Sequence, residues 1–203
     1  TRCTSSAASD VYKRQVVDWM RVGFIHGVMN TDNTSISGES FDYGPCAFIN
    51  TYDPMAVYSS IDHNGRYAFG NQPKMIKWNI LRFAEALLPI IHVNEKKAVQ
   101  LAESVIIKFD EIWKKKYYRM MLRKIGFDSN DIKLFPLIDE LLILMRKLKL
   151  DYTNTFSYLT HDILSTNQLI NNTDFINWQK KWNKSLKNRN KIREANFLMR
   201  KNN

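Results

Sequence analysis

Apolar residues in "VVDWMRVGFIH" recur at Val16, Trp19, Met20, Gly23 and Phe24, and this one-sided spacing predicts a helix over residues 16–26. The polar stretch "GVMNTDNTSISGESFDYGP" follows at once. Within it Ile36 and Phe41 flank a Ser37-Gly38 turn, which predicts two short strands joined by a tight hairpin. Residues 43–73 show no period and are punctuated by Gly-Pro, Asp-Pro, Asn-Gly and Gln-Pro. A loop of that length inside a compact domain is usually functional.

From Pro73 the period becomes helical. Ile76, Ile80, Phe83, Ala84, Leu87 and Leu88 share one side until Pro89, which is expected to end or kink that helix. Asn94 is placed to cap a second helix, whose apolar positions Ala98, Leu101, Ala102, Val105, Phe109, Ile112 and Trp113 run toward a stop at Gly126. Further helices are expected at about 129–149, 152–165 and 173–200. The chain thus reads as mainly α, with a short β-hairpin beside a polar loop.

Composition supports a globular fold. With 203 residues, 44% of them hydrophobic and 12% aromatic, the chain can bury a sizeable core. Two cysteines, Cys3 and Cys46, support neither a disulfide framework nor a cysteine-based zinc site. No window approaches the roughly 20 consecutive apolar residues of a membrane span, so the chain reads as soluble, without a membrane partner. The first fifteen residues, "TRCTSSAASDVYKRQ", are small, polar and aperiodic, lack a secretory apolar core, and resemble translated adapter sequence. Residues 1–15 are therefore set apart from the fold, and the ending "LMRKNN" falls inside an expected helix, as a truncated C-terminus would.

Charge adds one alternative. Residues 1–94 carry 8 Lys/Arg against 8 Asp/Glu and residues 95–203 carry 22 against 12, so the net +10 lies in the second half. A basic helical surface can meet nucleic acid. The lysines are spread over several helices, however, and in "IWKKKYYRMMLRK" the residues Trp113, Tyr117, Met120 and Met121 fall at core spacing. Nucleic-acid binding is the weaker reading.

The chemistry lies in the polar loop. If a hairpin returns the chain between Asn33 and Asp42, the Asn33 amide oxygen and the Asp42 carboxylate come within reach of one ion. Hard oxygen donors in small number are what Mg²⁺ accepts while it binds phosphate oxygens. Asp42-Tyr43-Gly44 has the form of the kinase Asp-Phe-Gly, and an Asn followed by such an element is how kinases hold their metals. Asp, Asn and Gly are also ordinary turn residues, so the match is weak alone. The kinase catalytic loop reads His-Arg-Asp, whereas here Gly27 and Val28 follow His26 and Val28 takes the place of the base. Asp32 is then the remaining carboxylate for a general base, and His26 reads as a structural histidine packed under the loop.

Taken together, "WMRVGFIHGVMNTDNTSISGESFDYGPCAFINTYDP", "DHNGRYAFGNQP" and "WNILRFAEALLPII", extended by "DYTNTF" and "INWQKKWNKSL", resemble the selenoprotein O family over residues 16–203. These are kinase-like proteins that transfer AMP from ATP to protein hydroxyls. The resemblance implies a kinase-like C-lobe with an activation-like loop at about 43–73 and a helical C-terminal extension. It further implies Asp32 as the active-site acid, Asn33 and Asp42 as ligands of Mg²⁺ or Mn²⁺, and ATP and Ser/Thr/Tyr-bearing proteins as substrates. The family's glycine-rich segment and its nucleotide-binding Lys–Glu pair have no counterpart in this chain, which is therefore expected to be a C-lobe fragment, inactive alone. Tyr58 stands where some members carry a regulatory cysteine. A cytoplasmic location is expected in a bacterium and a mitochondrial one in a eukaryote.

A second constellation, Asp62-His63-Asn64-Gly65-Arg66-Tyr67, reads either as an activation-segment element with Arg66 aimed at an anion, or as an Asn-Gly turn held by an Asp-Arg pair and a packed Tyr. Gly44 belongs with Asp42 as a supporting residue. Cys46 reads as a small buried residue. Three functions remain in view: an AMP-transferring enzyme, a kinase-like protein that binds nucleotide or partners without chemistry, and a basic nucleic-acid-binding module.

Overall fold

Gly23, in the left-handed region at φ 74°, ends a first helix, α1 (residues 14–22), where any other residue would be strained. The computed structural model describes residues 14–35, 37, 42–161, 172–186 and 199. Helix α1 is four residues shorter at its end than the periodicity predicts, because Phe24 and Ile25 form strand β1. Strand β2, Ala47–Phe48, pairs with it antiparallel, Phe24 opposite Phe48 and Ile25 opposite Ala47. The strands expected at Ile36 and Phe41 lie outside the described residues. The β pair that is seen joins the two ends of the polar loop, and His26, Asp32 and Asn33 follow a strand rather than a helix exit.

The chain folds as two compact units. The first comprises residues up to Met20, Phe24–Phe48 and Pro54–Lys116. Its central element is helix α2, Gln72–Ile91, entered through a 3₁₀ turn at Phe69–Asn71. Met75, Ile76 and Ile80 are buried on one face, while Phe83, Ala84, Leu87 and Leu88 are only half-buried. Pro89 lies inside α2 near its end without stopping it, since only the last turn loses a backbone donor there. Helix α3, Glu95–Ile106, packs along α2, and the Asn94 side chain caps it by accepting the Lys97 N–H at 3.1 Å. The single helix expected from 94 to 126 is interrupted at Ile107–Lys108, and α4 begins again at Phe109 and runs to Lys124.

The second unit comprises Arg21–Gly23, Ile49–Asp53 and the chain from Tyr117 onward. Helix α4 ends as expected at Gly126 (φ 90°), where the Phe127 N–H donates to Leu122 O at 2.9 Å, a Schellman closure. Helices α5 (Phe135–Lys147), α6 (Tyr152–His161) and α7 (Thr173–Leu186) complete the unit. Helix α7 packs on α5, and its two buried indoles each have the N–H satisfied. Trp178 Nε1 donates to Leu137 O and Trp182 Nε1 to Ile125 O, both at 2.8 Å. The short segment Ile49–Asp53 is held as a strand would be, with Tyr52 N–H donating to Leu150 O at 2.8 Å and Tyr152 N–H to Asn50 O at 2.6 Å. The parts of the expected helices beyond 161 and 186 lie outside the described residues, apart from a helical Met199. Among the described residues no helix is long and apolar enough to cross a membrane.

Candidate functional site

The polar loop between β1 and β2 is closed at its base and supported from beneath. At the base Gly27 adopts φ 87°, and a Cβ there would meet Pro45 O at 2.5 Å, so only glycine lets the two arms approach this closely. Beneath, the first turn of α2 presents Gln72, which is wholly buried. Its Nε2 donates to Phe24 O at 3.0 Å and its Oε1 accepts the His26 N–H at 3.1 Å. The carboxamide thereby satisfies backbone groups on either side of Ile25, as a neighbouring strand would.

Two helical turns later Asn79, also buried, supports the arm that carries Asp32. Its Nδ2 reaches Met29 O at 3.1 Å, Thr34 Oγ1 at 2.7 Å and Asn30 O at 3.4 Å. On this platform the chain turns: Asn33 N–H donates to Asn30 O at 3.2 Å, and Thr34 Oγ1 donates to the same carbonyl at 2.8 Å. Asp32 is exposed in that turn. Asn33 is half-buried, and its Nδ2 donates to Val28 O at 3.1 Å, which fixes the plane of the amide.

The other arm carries Asp42, exposed, whose Oδ1 accepts the Gly44 N–H at 3.0 Å in an Asx turn. Tyr43 sets its edge against Phe24 with ring centroids 6.3 Å apart, and Phe24 in turn meets Phe48 at 5.4 Å. Cys46 is half-buried and its thiol donates to Tyr43 O at 3.3 Å.

His26 lies under the loop against Trp19, ring centroids 5.4 Å apart and only 2% exposed. Burial lowers its pKa below the ordinary histidine value, and the Asp42 carboxylate opposes that shift. Asp42 is thus within electrostatic reach of His26. Among the described residues neither ring nitrogen has a hydrogen-bond partner. A cavity of about 10 Å³ lies beside the ring, bounded by Trp19, His26, Met29, Asn33 and Thr34, at the lower limit for one water.

Asp62 and Arg66 do not pair through their side chains. Both Asp62 oxygens accept backbone N–H groups, Arg66 at 2.9 Å and Tyr67 at 2.8 Å, so the carboxylate holds the turn. The Arg66 guanidinium lies over the Trp78 ring at 4.9 Å, and Arg82 lies over the same ring at 5.4 Å. Tyr67 reaches the polar loop, its hydroxyl donating to Asn30 Oδ1. A groove of about 390 Å³ borders the Asp32 turn, with Thr31 and Thr34 on one side and Asn79, Arg82 and Phe83 of α2 on the other.

Sequence reasoning named Asp32, Asn33 and Asp42, missed Gln72, Asn79 and Asn30, and read Tyr67 as a packed ring without its contact to the polar loop. The signal for two of them was present, since Gln72 and Asn79 stand seven residues apart on the face that buries Met75, Ile76 and Ile80. Polar residues at those positions need internal partners.

The family model described as Protein adenylyltransferase SelO matches residues 10–203, beginning inside the segment set apart as adapter-like. A protein nucleotidyltransferase YdiU of Pelagibacter ubique (strain HTCC1062) is 53% identical over 171 residues, covering 84% of this chain and 35% of the relative. Proteins of the same name from Clostridium beijerinckii and Bacillus cereus (strain B4264) are each 46% identical, over 196 and 197 residues, covering 95% and 96% of the chain. The chain spans 40% of the length of each of these two. With a family match over nearly its whole length and relatives at this identity, the chain belongs to the SelO family.

Proposed function

We propose that this chain forms the metal-loop part of a Mg²⁺-dependent protein adenylyltransferase, in a fold of the protein-kinase C-lobe type. The observation that carries the reading is one closed loop bearing Asp32 and Asn33 on one arm and Asp42 on the other, pinned at its base by β1–β2 and Gly27. Family membership supports a nucleotide substrate.

The residues fit Mg²⁺. Among the described residues the Asn33 side chain bonds only through Nδ2, and Asp42 commits only Oδ1, so each keeps an oxygen for a hard cation. No group of three His, Cys, Asp or Glu gathers among the described residues, and a two-donor set suits an ion that takes its other ligands from phosphates and water. Such an ion would supply charge neutralisation at the phosphates.

This chain's own residues then do three things. Asp32, exposed beside the groove, accepts the proton of an incoming protein hydroxyl. The hydroxyl oxygen bonds to the α-phosphorus while the α–β bridging bond breaks, and pyrophosphate leaves. The Asn30–Asn33 turn and the Asn79 amide hold Asp32 in place, and the groove by Thr31, Arg82 and Phe83 gives the substrate side chain room. His26, buried with a lowered pKa, supports the loop as a neutral ring. The chain contains no glycine-rich phosphate cradle, so the 203-residue polypeptide alone is expected to transfer nothing.

The test uses the full-length protein with Mg²⁺ and ATP labelled at the α- or the γ-phosphate. Label on protein from the α position only, lost in Asp42→Ala, is the expected result. ATP binding without labelling from either position would establish a kinase-like binding protein instead, and salt-sensitive nucleic-acid binding without ATP affinity would establish the basic module.

A further inference from the structure

We propose that Tyr67 is a positioning residue for the Asp32–Asn33 turn, acting through Asn30, an assignment that rests on the adenylyltransferase reading above. The segment that carries Tyr67 is held by its own hydrogen bonds. Asp62 binds the Arg66 and Tyr67 N–H groups, Asn71 Nδ2 donates to Gly65 O at 2.7 Å, and Gly65 takes φ 66° to close the turn. From this fixed base the Tyr67 hydroxyl donates to Asn30 Oδ1, thirty-seven residues away in sequence.

Asn30 is the residue on which the turn is built. Its carbonyl accepts the Asn33 N–H, the Thr34 hydroxyl and, at longer range, Asn79 Nδ2. Three bonds converge on the Asn30 backbone, and the bond to its side chain comes from Tyr67. Helix α2 therefore supports the arm from below, while Tyr67 fixes the angle at which the turn leaves it. An Asn30 without that donor can rotate its amide and let the turn loosen, which would move the Asp32 carboxylate and the Asn33 oxygen together.

The test compares full-length wild type with Tyr67→Phe, which removes one hydroxyl and keeps the ring. Loss of the bond is expected to lower kcat roughly tenfold with the KM for ATP changed less than about twofold. Hydrogen exchange gives a readout that does not depend on turnover: the Asn33 and Thr34 amides are expected to exchange roughly tenfold faster in Tyr67→Phe, with protection in α5 to α7 unchanged. Asn30→Ala is expected to match Tyr67→Phe, and the double variant to lose no more than either. Unchanged exchange at Asn33 and Thr34, or additive losses in the double variant, would overturn the assignment. Uniformly faster exchange throughout would overturn it too, since that marks a merely stabilising contact. A wild type that labels no protein would sink the enzyme reading alone, because the exchange measurement is independent of it.

Discussion

Replacing Asn79 tests whether the loop takes its shape from α2. Asn79→Leu conserves approximate volume and adds apolar surface, but it removes the donor that serves Met29 O, Thr34 Oγ1 and Asn30 O. Asn30 O retains Asn33 N–H and the Thr34 hydroxyl, so its loss is small. Met29 O lies beside a side chain only 2% exposed, and a buried acceptor left unpaired costs about 1–3 kcal/mol. The leucine regains a part of this through burial, which leaves a net loss of about 1 kcal/mol. Asn79→Asp should be worse at neutral pH, because a carboxylate can offer those carbonyls only repulsion. The surroundings raise such an Asp above its unfolded value, the folded state then binds the extra proton, and stability falls as pH rises from about 4 toward 7. Native-state hydrogen exchange over residues 28–34 of the full-length protein reads the local opening free energy directly. Wild-type protection in Asn79→Leu, or Asn79→Asp no less protected than Asn79→Leu at pH 7, would refute the reasoning.

Other expectations follow from single contacts. Gly27→Ala places a Cβ 2.5 Å from Pro45 O at a φ of 87°, so the base of the loop must open. A loss of about 2–4 kcal/mol is expected, visible as a lowered Tm and lost α-phosphate labelling. Lys124 is buried, with Nζ donating to Arg21 O at 2.8 Å and lying 4.2 Å from the Phe156 ring centroid, yet burial, with the Arg21 charge adding to it, lowers its pKa to about 7. The unfolded chain, with Lys124 near 10.5, binds more protons between those values, so stability should climb from pH 7 toward pH 9.5; Lys124 adds no slope below 7, where the lowered pKa of His26 makes stability fall with acid. Above pH 10 the trend reverses, since burial raises Tyr52 to about 12 and Tyr152 further. Denaturation at pH 6, 7.5 and 9 checks this, and Lys124→Met should abolish the slope. Lys77→Ala, which breaks a partly exposed pair with Asp110, should change stability by less than about 1 kcal/mol.

How much of this was legible in the sequence depended on the length over which each signal repeats. Helix α2 repeats its apolar face over several turns, so Ile76 and Ile80 were readable as core. Strands of two residues have no alternation to read, and Phe24–Ile25 and Ala47–Phe48 are visible only once paired. The helix expected to reach His26 stops earlier because Gly23 takes a left-handed backbone, which its place on an apolar stripe concealed. The break at Ile107–Lys108 carries neither Gly nor Pro and gave no local signal. Asp42 and Asn33 could be named as candidates because their residue types suit a hard cation. The Tyr67 contact could not be, because its partner lies thirty-seven residues away and a Tyr after a turn reads as packing.

The separation of the two arms has a consequence for how the site is controlled. The Asp32–Asn33 arm is held by side chains from outside the loop, Asn79 below and Tyr67 at the side. The Asp42 arm is held by its own Asx turn with Gly44 and by the Tyr43 edge on Phe24 of β1. Gln72 also ties α2 to β1, whose Phe24 supports Tyr43, so a shift of α2 bears on both arms, whereas the Asp62–Tyr67 turn reaches the Asp32–Asn33 arm through Asn30. On the metal-loop reading proposed above, the Asp62–Tyr67 turn therefore bears on where Asn33 stands relative to Asp42. The β pair at the base fixes where the arms begin, and the external anchors fix where one of them ends.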